Sequence, residues 1–299
     1  MFLRKRAKNE TPNGDEIIFM AAPDRIGYDA TGRKVNNDFP KIVKHYRDFE
    51  LNSDSYLSDT SPLHNEPVLV FAVKRSQING RIDVAYSSPD FRVLRERIKG
   101  GRFPIAHLGE ICESMESGFA AGGDNQAFDD IVGIPHIRPL NITSKGDMIL
   151  EGTKYVPRAN LPQRQLLTAG EVLFNNTNSA IWVGKTCVFP GGYEAACSNH
   201  ITRIKVQSEK VLPEYLAGFL NLLRNLGFFQ VLSTKFNNQA GVNIETLSMV
   251  LLPLPPISAQ QEMITKMEKS RSEARQLYAQ ADELVNQAKA RFEAALLGA

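Results

Sequence analysis

Three polar runs carry the side chains best suited to hydrogen-bond a flat partner rich in nitrogen and oxygen. Arg138, Asn141, Thr143 and Lys145 follow the strand-like piece IPHI. Asn175, Asn176, Thr177, Asn178 and Ser179 form a dense amide and hydroxyl cluster, with Lys185 soon after it. Lys235, Asn237, Asn238 and Gln239 lead into Gly241. Asn and Gln can bind adenine bidentately, Arg can do the same to guanine, and cations near phosphates supply affinity. The same residue types also make ordinary turns, so the 175–179 cluster reads equally as base contact or as loop chemistry.

Other side chains offer less. Cys112, Cys187 and Cys197 are widely spaced with no C-x-x-C pair, so neither a disulfide framework nor a zinc site is expected, and reduced thiols point to the cytoplasm. His136 and His200 lack companion ligands and read as structural hydrogen-bonders; for His200 a phosphate contact or a loop brace is the alternative. Trp182, the sole tryptophan, is expected at an apolar edge, with stacking on a base as the alternative. The glycines of FAAGGD (119–124) follow no credible strand and read as a loop. With 35 Lys plus Arg against 33 Asp plus Glu, the charge balance neither announces nor excludes nucleic acid, so any DNA-binding face must be local. MFLRKRAKNE has no apolar signal region, and no apolar run reaches the ~18 residues of a membrane span.

The elements that must position these residues are short. IIFMAA (17–22) and VLVFAV (68–73) read as strands, PKIVKHYRDF (40–49) as a helix with Ile42, Val43 and Tyr46 on one face, and PDFRVLRERIK (89–99) as a basic helix. Residues 51–65 read as linker, QINGRIDVA (77–85) as a hairpin partner of 68–73 or a separate strand, and Gly100–Gly101 as a boundary. Beyond it, FPIAHLGEI, IPHIRPLNIT, LLTAGEVLFNN, VGKTCVF and AACSNHITRIKV contribute strands. Pro213 opens a helix through PEYLAGFLNLLRNLGFFQVL with Tyr215, Phe219, Leu222, Leu223 and Leu226 on its apolar face. The expected class is α+β, a mixed strand-rich globule followed by a long C-terminal helix able to form a coiled coil.

That helix is the most regular feature. After a short strand (248–254) and Pro255–Pro256, no Gly or Pro occurs from Ala259 to Leu297. Ser258 with Gln261 has capping-box spacing, and Gly298 stands at the C-terminal cap position. A seven-residue repeat places Met267, Ala274, Ala281, Ala288 and Ala295 on one line and Met263, Ser270, Leu277, Leu284 and Arg291 on another. So narrow a seam suits a partner helix better than a globular core, and Met267, Ala274, Leu277, Ala281, Leu284 and Ala288 are the expected dimerisation contacts. The plainer alternative is a surface helix lying on its own domain.

The blocks IPHIRPLNIT, GEVLFNNTNS with VGKTCVF, SNHITRIKV, PEYLAGFLN and NQAGVNIETLSMVLLPLPPISAQQEMI resemble, in order, the target-recognition domain of type I restriction–modification specificity subunits over residues 102–297. FLRKR, IIFMAAPDRIGYDATGRK and NDFPKIVKHYRDF resemble the closing segment of an N6-adenine DNA methyltransferase domain over the first 50 residues. Neither that family's Asn/Asp-Pro-Pro-aromatic motif nor its Gly-rich S-adenosylmethionine turn occurs here, so no catalysis is expected of this chain alone and the cofactor would belong to a methyltransferase partner or an upstream domain. The resemblance implies a tail (1–50), a linker (51–101), a recognition domain (102–256) and a spacer helix (257–299). It places the 235–239 loop beside double-stranded DNA. It implies an N6-adenine methyltransferase partner, with a restriction subunit possible, and no membrane. Specificity subunits usually carry two recognition domains and two pairing helices, whereas this sequence holds one of each. Two copies pairing antiparallel would face a palindromic, interrupted target. The alternatives are the specificity portion of a fused methyltransferase or nuclease–methyltransferase and, more remotely, a coiled-coil adaptor without a DNA role.

Overall fold

The computed structural model describes residues 9, 11, 16–29, 31–57, 68–78, 82–122, 133–236 and 239–298. The chain divides into two compact units, 1–100 and 101–299.

The first unit contains β1 (Ile17–Ala22), β2 (Ile26–Tyr28), β3 (Lys34–Asn37), α1 (Phe39–Leu51), β4 (Leu69–Lys74), α2 (Val84–Ser87) and α3 (Pro89–Lys99). β1 and β4 pair antiparallel, Ile17 opposite Lys74 and Ala22 opposite Leu69. Alternation sends Phe19 and Ala21, with Val70 and Ala72, to one face, where Ile42 and Phe49 of α1 cover them. The partner of β4 is β1, residues 79–81 of the expected 77–85 strand lie outside the described residues, and Val84–Ser87 is a helical turn with Asp83 accepting from the Tyr86 amide. Nor is the stretch after α1 a linker throughout. Tyr56, in a 3-10 turn at Ser53–Tyr56, is buried against Phe19 and Phe49 and donates to the Asp48 carboxylate at 2.9 Å. On α1, Ile42 and Tyr46 face Phe19, but Val43 is exposed. The hairpin-like turn that TPNGD (11–15) predicts lies largely outside the described residues.

In the second unit the order is β5 (Ile105–His107), β6 (Cys112–Ser117), β7 (Gly133–Ile137), β8 (Lys154–Pro157), β9 (Val172–Asn175), β10 (Thr177–Asn178), β11 (Thr186–Val188), β12 (Ala196–Cys197), β13 (Ile201–Val206), α4 (Pro213–Asn225), α5 (Phe228–Leu232), β14 (Thr234–Phe236), β15 (Gln239–Gly241), α6 (Ile244–Ser248), β16 (Leu251–Pro253) and α7 (Ile257–Leu297). The sheets run β11-β9-β13-β6, β12-β7-β8, β10-β15-β14 and β16-β5. Ile137, Ile142, Leu173, Cys187, Phe189, Cys197 and Ile201 fill the space between the first two. The result is the expected α+β globule with a long terminal helix.

α4 packs on β11 and β9 through Leu216, Leu220 and Leu223. Buried Asn221 locks this docking, accepting from the Thr186 amide and donating to the Thr186 carbonyl at 2.7 Å. The buried face is therefore rotated from the expected one, and Leu222 and Leu226 are exposed. Gly227, at φ 74°, breaks the expected single helix into α4 and α5.

α7 starts at Ile257 after Pro256, without a side-chain cap, so the expected Ser258–Gln261 box does not form. Its anchor is Gln260, fully buried: its carbonyl oxygen accepts from the Leu212 amide and its nitrogen donates to Lys210 and Pro255 oxygens, all at 2.9 Å. Gly218 of α4 leaves room for Met267, so this residue packs within its own unit rather than in the exposed seam. From Ser272 to Gly298 every residue is exposed, and Gly298 ends the helix at φ 68°. Tyr278, Val285 and Phe292 form a further seven-residue line beside Leu277 and Leu284, so the apolar strip is wider than the two lines read from sequence. Among the described residues no helix is long and apolar enough to cross a membrane.

Candidate nucleic-acid interface

The polar runs converge because of two local pairings. β10 lies antiparallel to β15, Asn178 opposite Ala240, and β14 pairs with the other edge of β15, placing Lys235 opposite the same Ala240. A three-stranded ribbon thus carries Asn178, Lys235 and Gln239 from segments some 60 residues apart. Lys235 and Gln239 are exposed, and Asn178 is half-buried with its side-chain oxygen accepting from the Ser179 amide. Asn238 lies outside the described residues.

Asn178 also borders an open cleft of about 700 Å³. Arg138, Thr143, Ser144 and Lys185 form part of its polar lining; His136, His200 and Asn199 complete it, and Trp182, Leu140, Ile142 and Ile149 supply apolar wall. Arg138 donates one guanidinium nitrogen to the Gly152 carbonyl at 2.9 Å, while its buried Nε has no partner among the described residues. His136 is 2% exposed, stacks on Phe119 with centroids 4.8 Å apart, and its Nε2 is unpartnered among the described residues. Burial, with Arg138 as a weaker cause, holds its pKa below the ordinary histidine value, so the ring is neutral at pH 7. Trp182 is 42% exposed on a rigid turn, its amide donating to the Ser179 carbonyl and its carbonyl accepting from the Asn175 side chain at 3.1 Å. Gly184 closes that turn at φ 92° against the Phe229 ring, where a Cβ would lie 3.0 Å from Cγ.

Several expected contacts prove to be internal. Asn141 is fully buried; it accepts from the Arg138 amide at 2.9 Å and donates to the Ile149 carbonyl and the Thr153 hydroxyl. Asn176 is buried and donates to the Asn199 carbonyl and Thr202 hydroxyl. Lys185 is 8% exposed, its ammonium bound to the carbonyls of Pro139, at 2.6 Å, and Ile142. Burial, then the Arg224 charge, pull its pKa down. These three shape the wall rather than project from it, because each spends its donors on carbonyls or hydroxyls that would otherwise be buried unpaired. Lys185→Met is expected to lower unfolding stability by about 2 kcal/mol, since charged donors to buried carbonyls are worth about 1.5–3 kcal/mol each and the ammonium's desolvation offsets part. Chemical denaturation measures it, and unchanged stability would show these bonds to be idle.

Lys145 is held differently. Gly146, at φ 85°, sits where a Cβ would lie 2.8 Å from Asn221 Nδ2, so the 143–147 turn is pressed onto α4. Arg271 of α7 donates to the Lys145 carbonyl at 2.9 Å, Arg275 lies 3.7 Å from Asp147, and the Lys145 ammonium stands 4.0 Å from the Tyr278 ring centroid. The base of the long helix therefore braces the turn that carries Thr143 into the cleft.

Sequence reading missed Ser198 and Asn199. Both sit at the β12–β13 corner, where Ser198 donates its amide to Ile137 and brings the corner against β7. The signal was present in SNHI, where only His200 was weighed. Among the described residues no group of His, Cys, Asp and Glu could hold a metal ion.

A family model for the type I restriction modification DNA specificity domain matches residues 104–282. Over 164 residues the chain is 24% identical to a Methanocaldococcus jannaschii protein assigned as the type I restriction enzyme MjaX specificity subunit, covering 53% of this chain and 37% of that relative. The chain thus spans well under half of that relative's length. A solved chain from work on complex assembly and conformational transition of the type I R-M system overlays 87% of this chain and 67% of its own, at TM-score 0.48 and 16% identity. The HsdS subunit from Thermoanaerobacter tengcongensis overlays 80% of this chain and 48% of its own, at TM-score 0.43 and 14% identity.

Proposed function

We propose, for a chain that belongs to the type I restriction modification DNA specificity family, that its second unit reads a short duplex sequence through the cleft and ribbon joined at Asn178. The observation that carries this reading is that Arg138, Thr143 and Asn178, from two separated runs, line one cleft with Trp182, while strand pairing sets Lys235 and Gln239 of the third run on the ribbon that carries Asn178. Arg138, Asn178 and Gln239 are the base readers in this reading, and Lys235 and Lys145 the phosphate contacts. Asn141, Asn176 and Lys185 act as supports.

Chemistry on the DNA belongs to a partner. The reading assigns that role to an N6-adenine methyltransferase subunit that binds S-adenosylmethionine, with a restriction subunit as a further associate. The near-neutral charge supports this division, since a weakly cationic reader gains its phosphate clamp from the partner. α7 spans about 60 Å at 1.5 Å per residue, and its exposed strip of Ala274, Leu277, Ala281, Leu284 and Ala288, widened by Tyr278, Val285 and Phe292, suits an antiparallel second copy. Two recognition units at opposite ends of such a pair face inverted half-sites, so the target is an interrupted palindrome. A second reading, the specificity portion of a fused methyltransferase, draws on the methyltransferase-like first fifty residues.

Methylation sequencing of a host expressing this chain with its methyltransferase tests the proposal. N6-methyladenine confined to one interrupted palindrome, lost with Asn178→Ala, is the expected result. Methylation unchanged by that substitution and by Arg138→Ala contradicts the assignment.

A further inference from the structure

The apolar and polar halves of the cleft fit something other than a phosphate. Both of the Lys and Arg side chains that line it are engaged within the fold, Lys185 by the Pro139 and Ile142 carbonyls and Arg138 partly by Gly152. What stays available is the exposed part of the Trp182 indole, whose ring centroid lies 5.8 Å from the Lys185 ammonium, an amide at Asn178, and the edge of a buried imidazole that lies against the Cys197 and Phe119 backbone and whose Nε2 makes no hydrogen bond among the described residues. Native folds rarely leave a buried polar atom unpaired, and such an atom beside an open cleft points to a ligand that completes it. Trp182 and Ile181, 42% and 59% exposed, stand on a turn held by five internal hydrogen bonds and by Gly184 against Phe229. A large apolar tip held this firmly is suited to entering a base stack.

We propose that this cleft receives one nucleobase turned out of the target duplex, stacked on Trp182, with its edge toward His136, Arg138 and Asn178. The inference rests on the DNA-reading role proposed above and adds to it a ligand class, an unstacked base, and a specific platform. A planar heteroaromatic ring matches the aromatic wall, and either ring edge can pair with a neutral imidazole, which donates from one nitrogen and accepts at the other. Extruding a base carries an energetic penalty that the stacking face and the edge contacts together offset.

Trp182 is the sole tryptophan, so its fluorescence reports this site alone. The experiment titrates the full chain with a duplex enriched from a random-sequence pool, and with copies of that duplex bearing an abasic site at each target position in turn. Binding of the intact duplex should quench Trp182 emission, and an abasic site at one position, placed in both half-sites, should abolish the quench while binding persists. Trp182→Ala should weaken binding roughly five- to hundredfold, the range for removing one aromatic platform, and Trp182→Phe should recover most of the loss. Should Trp182→Ala fail to fold, the wild-type titration with abasic duplexes decides by itself. Tight, sequence-selective binding with unaltered Trp182 emission at every position would overturn this inference and leave the DNA-reading role standing. Absence of sequence-selective binding by the wild-type chain, both alone and with its methyltransferase, would overturn both.

Discussion

A chain carrying Leu277→Glu and Leu284→Glu is expected to sediment as a single protomer, where the wild-type chain at micromolar concentration sediments at twice that mass. Both leucines are about two-thirds exposed and touch nothing needed for folding, so thermal stability of each protomer should not change. In the proposed pair the energy lies in the strip. Alanines at 274, 281 and 288 let two backbones approach, while Leu277, Leu284, Val285 and Phe292 provide the apolar area, and the four introduced carboxylates, two from each copy, would have to be desolvated in one seam. The consequence for DNA is larger than for mass. Once one recognition unit is bound, the paired rod makes the second an intramolecular event, so separating the protomers should lower affinity for a two-site duplex by about a hundredfold or more and leave a single half-site duplex unaffected. Equal affinity of wild type and variant for the two-site duplex would count against the spacer role.

The second large effect concerns Gly118→Ala. The chain passes from β6 into the cleft wall at this residue, where a methyl group would fall under 3.0 Å from the carbonyl oxygens of both Cys197 and Ser198. Neither carbonyl can retreat. The amide of Phe119 donates to the Cys197 oxygen, the amide of Asn199 donates to Phe119, and Ser198 is tied to Ile137. Overpacking of ordinary side chains costs about 1–3 kcal/mol, and here backbone meets backbone, so the loss should reach about 3 kcal/mol or more. That corresponds to a fall in melting temperature on the order of 10 °C. Gly122→Ala is the control, because no atom of the other described residues lies within 4 Å of its added Cβ, and it should melt like wild type. A Gly118→Ala protein of wild-type stability would mean that the corner around 197–199, and with it the cleft wall, is misplaced.

These two predictions differ in how far the sequence alone could have reached them. The rod was legible because its signals are local: a long run without Gly or Pro, a repeat of seven, and a terminal glycine. Its true anchor was not, since Gln260 is polar and its three partners at 210, 212 and 255 depend on how α4 docks. A buried, satisfied Gln overrode the local capping signal of Ser258. Residues 244–248 show the reverse case. Asn243 caps α6 by accepting from the Thr246 amide, a pattern visible in NIET, yet the apolar run that follows suggested only a strand.

The site divides along the same line. That the three polar runs matter could be read from their composition, but which members face outward could not. Asn141, Asn176 and Asn178 are chemically identical in a string. Tertiary pairing places the first two inside as braces, whereas Asn178 lies on a ribbon strand whose partner is some 60 residues away. Lys185 misled for a similar reason, because a lysine after an amide cluster resembles a phosphate contact until two carbonyls are found around its ammonium. Trp182 and His136 gain meaning only from each other, across a cleft lined by five separate segments.

The central claim is that the surface joined at Asn178 reads DNA sequence. Selection of tight binders from a random duplex pool, repeated with the wild-type chain in complex with its methyltransferase and with its Asn178→Ala and Gln239→Ala variants in the same complex, tests it most directly. The account predicts two inverted copies of one short sequence at a fixed separation for the wild type, with each variant relaxing the preference at its own position in both copies. Enrichment of no sequence, or of the same sequence at undiminished strength by all three proteins, would contradict it.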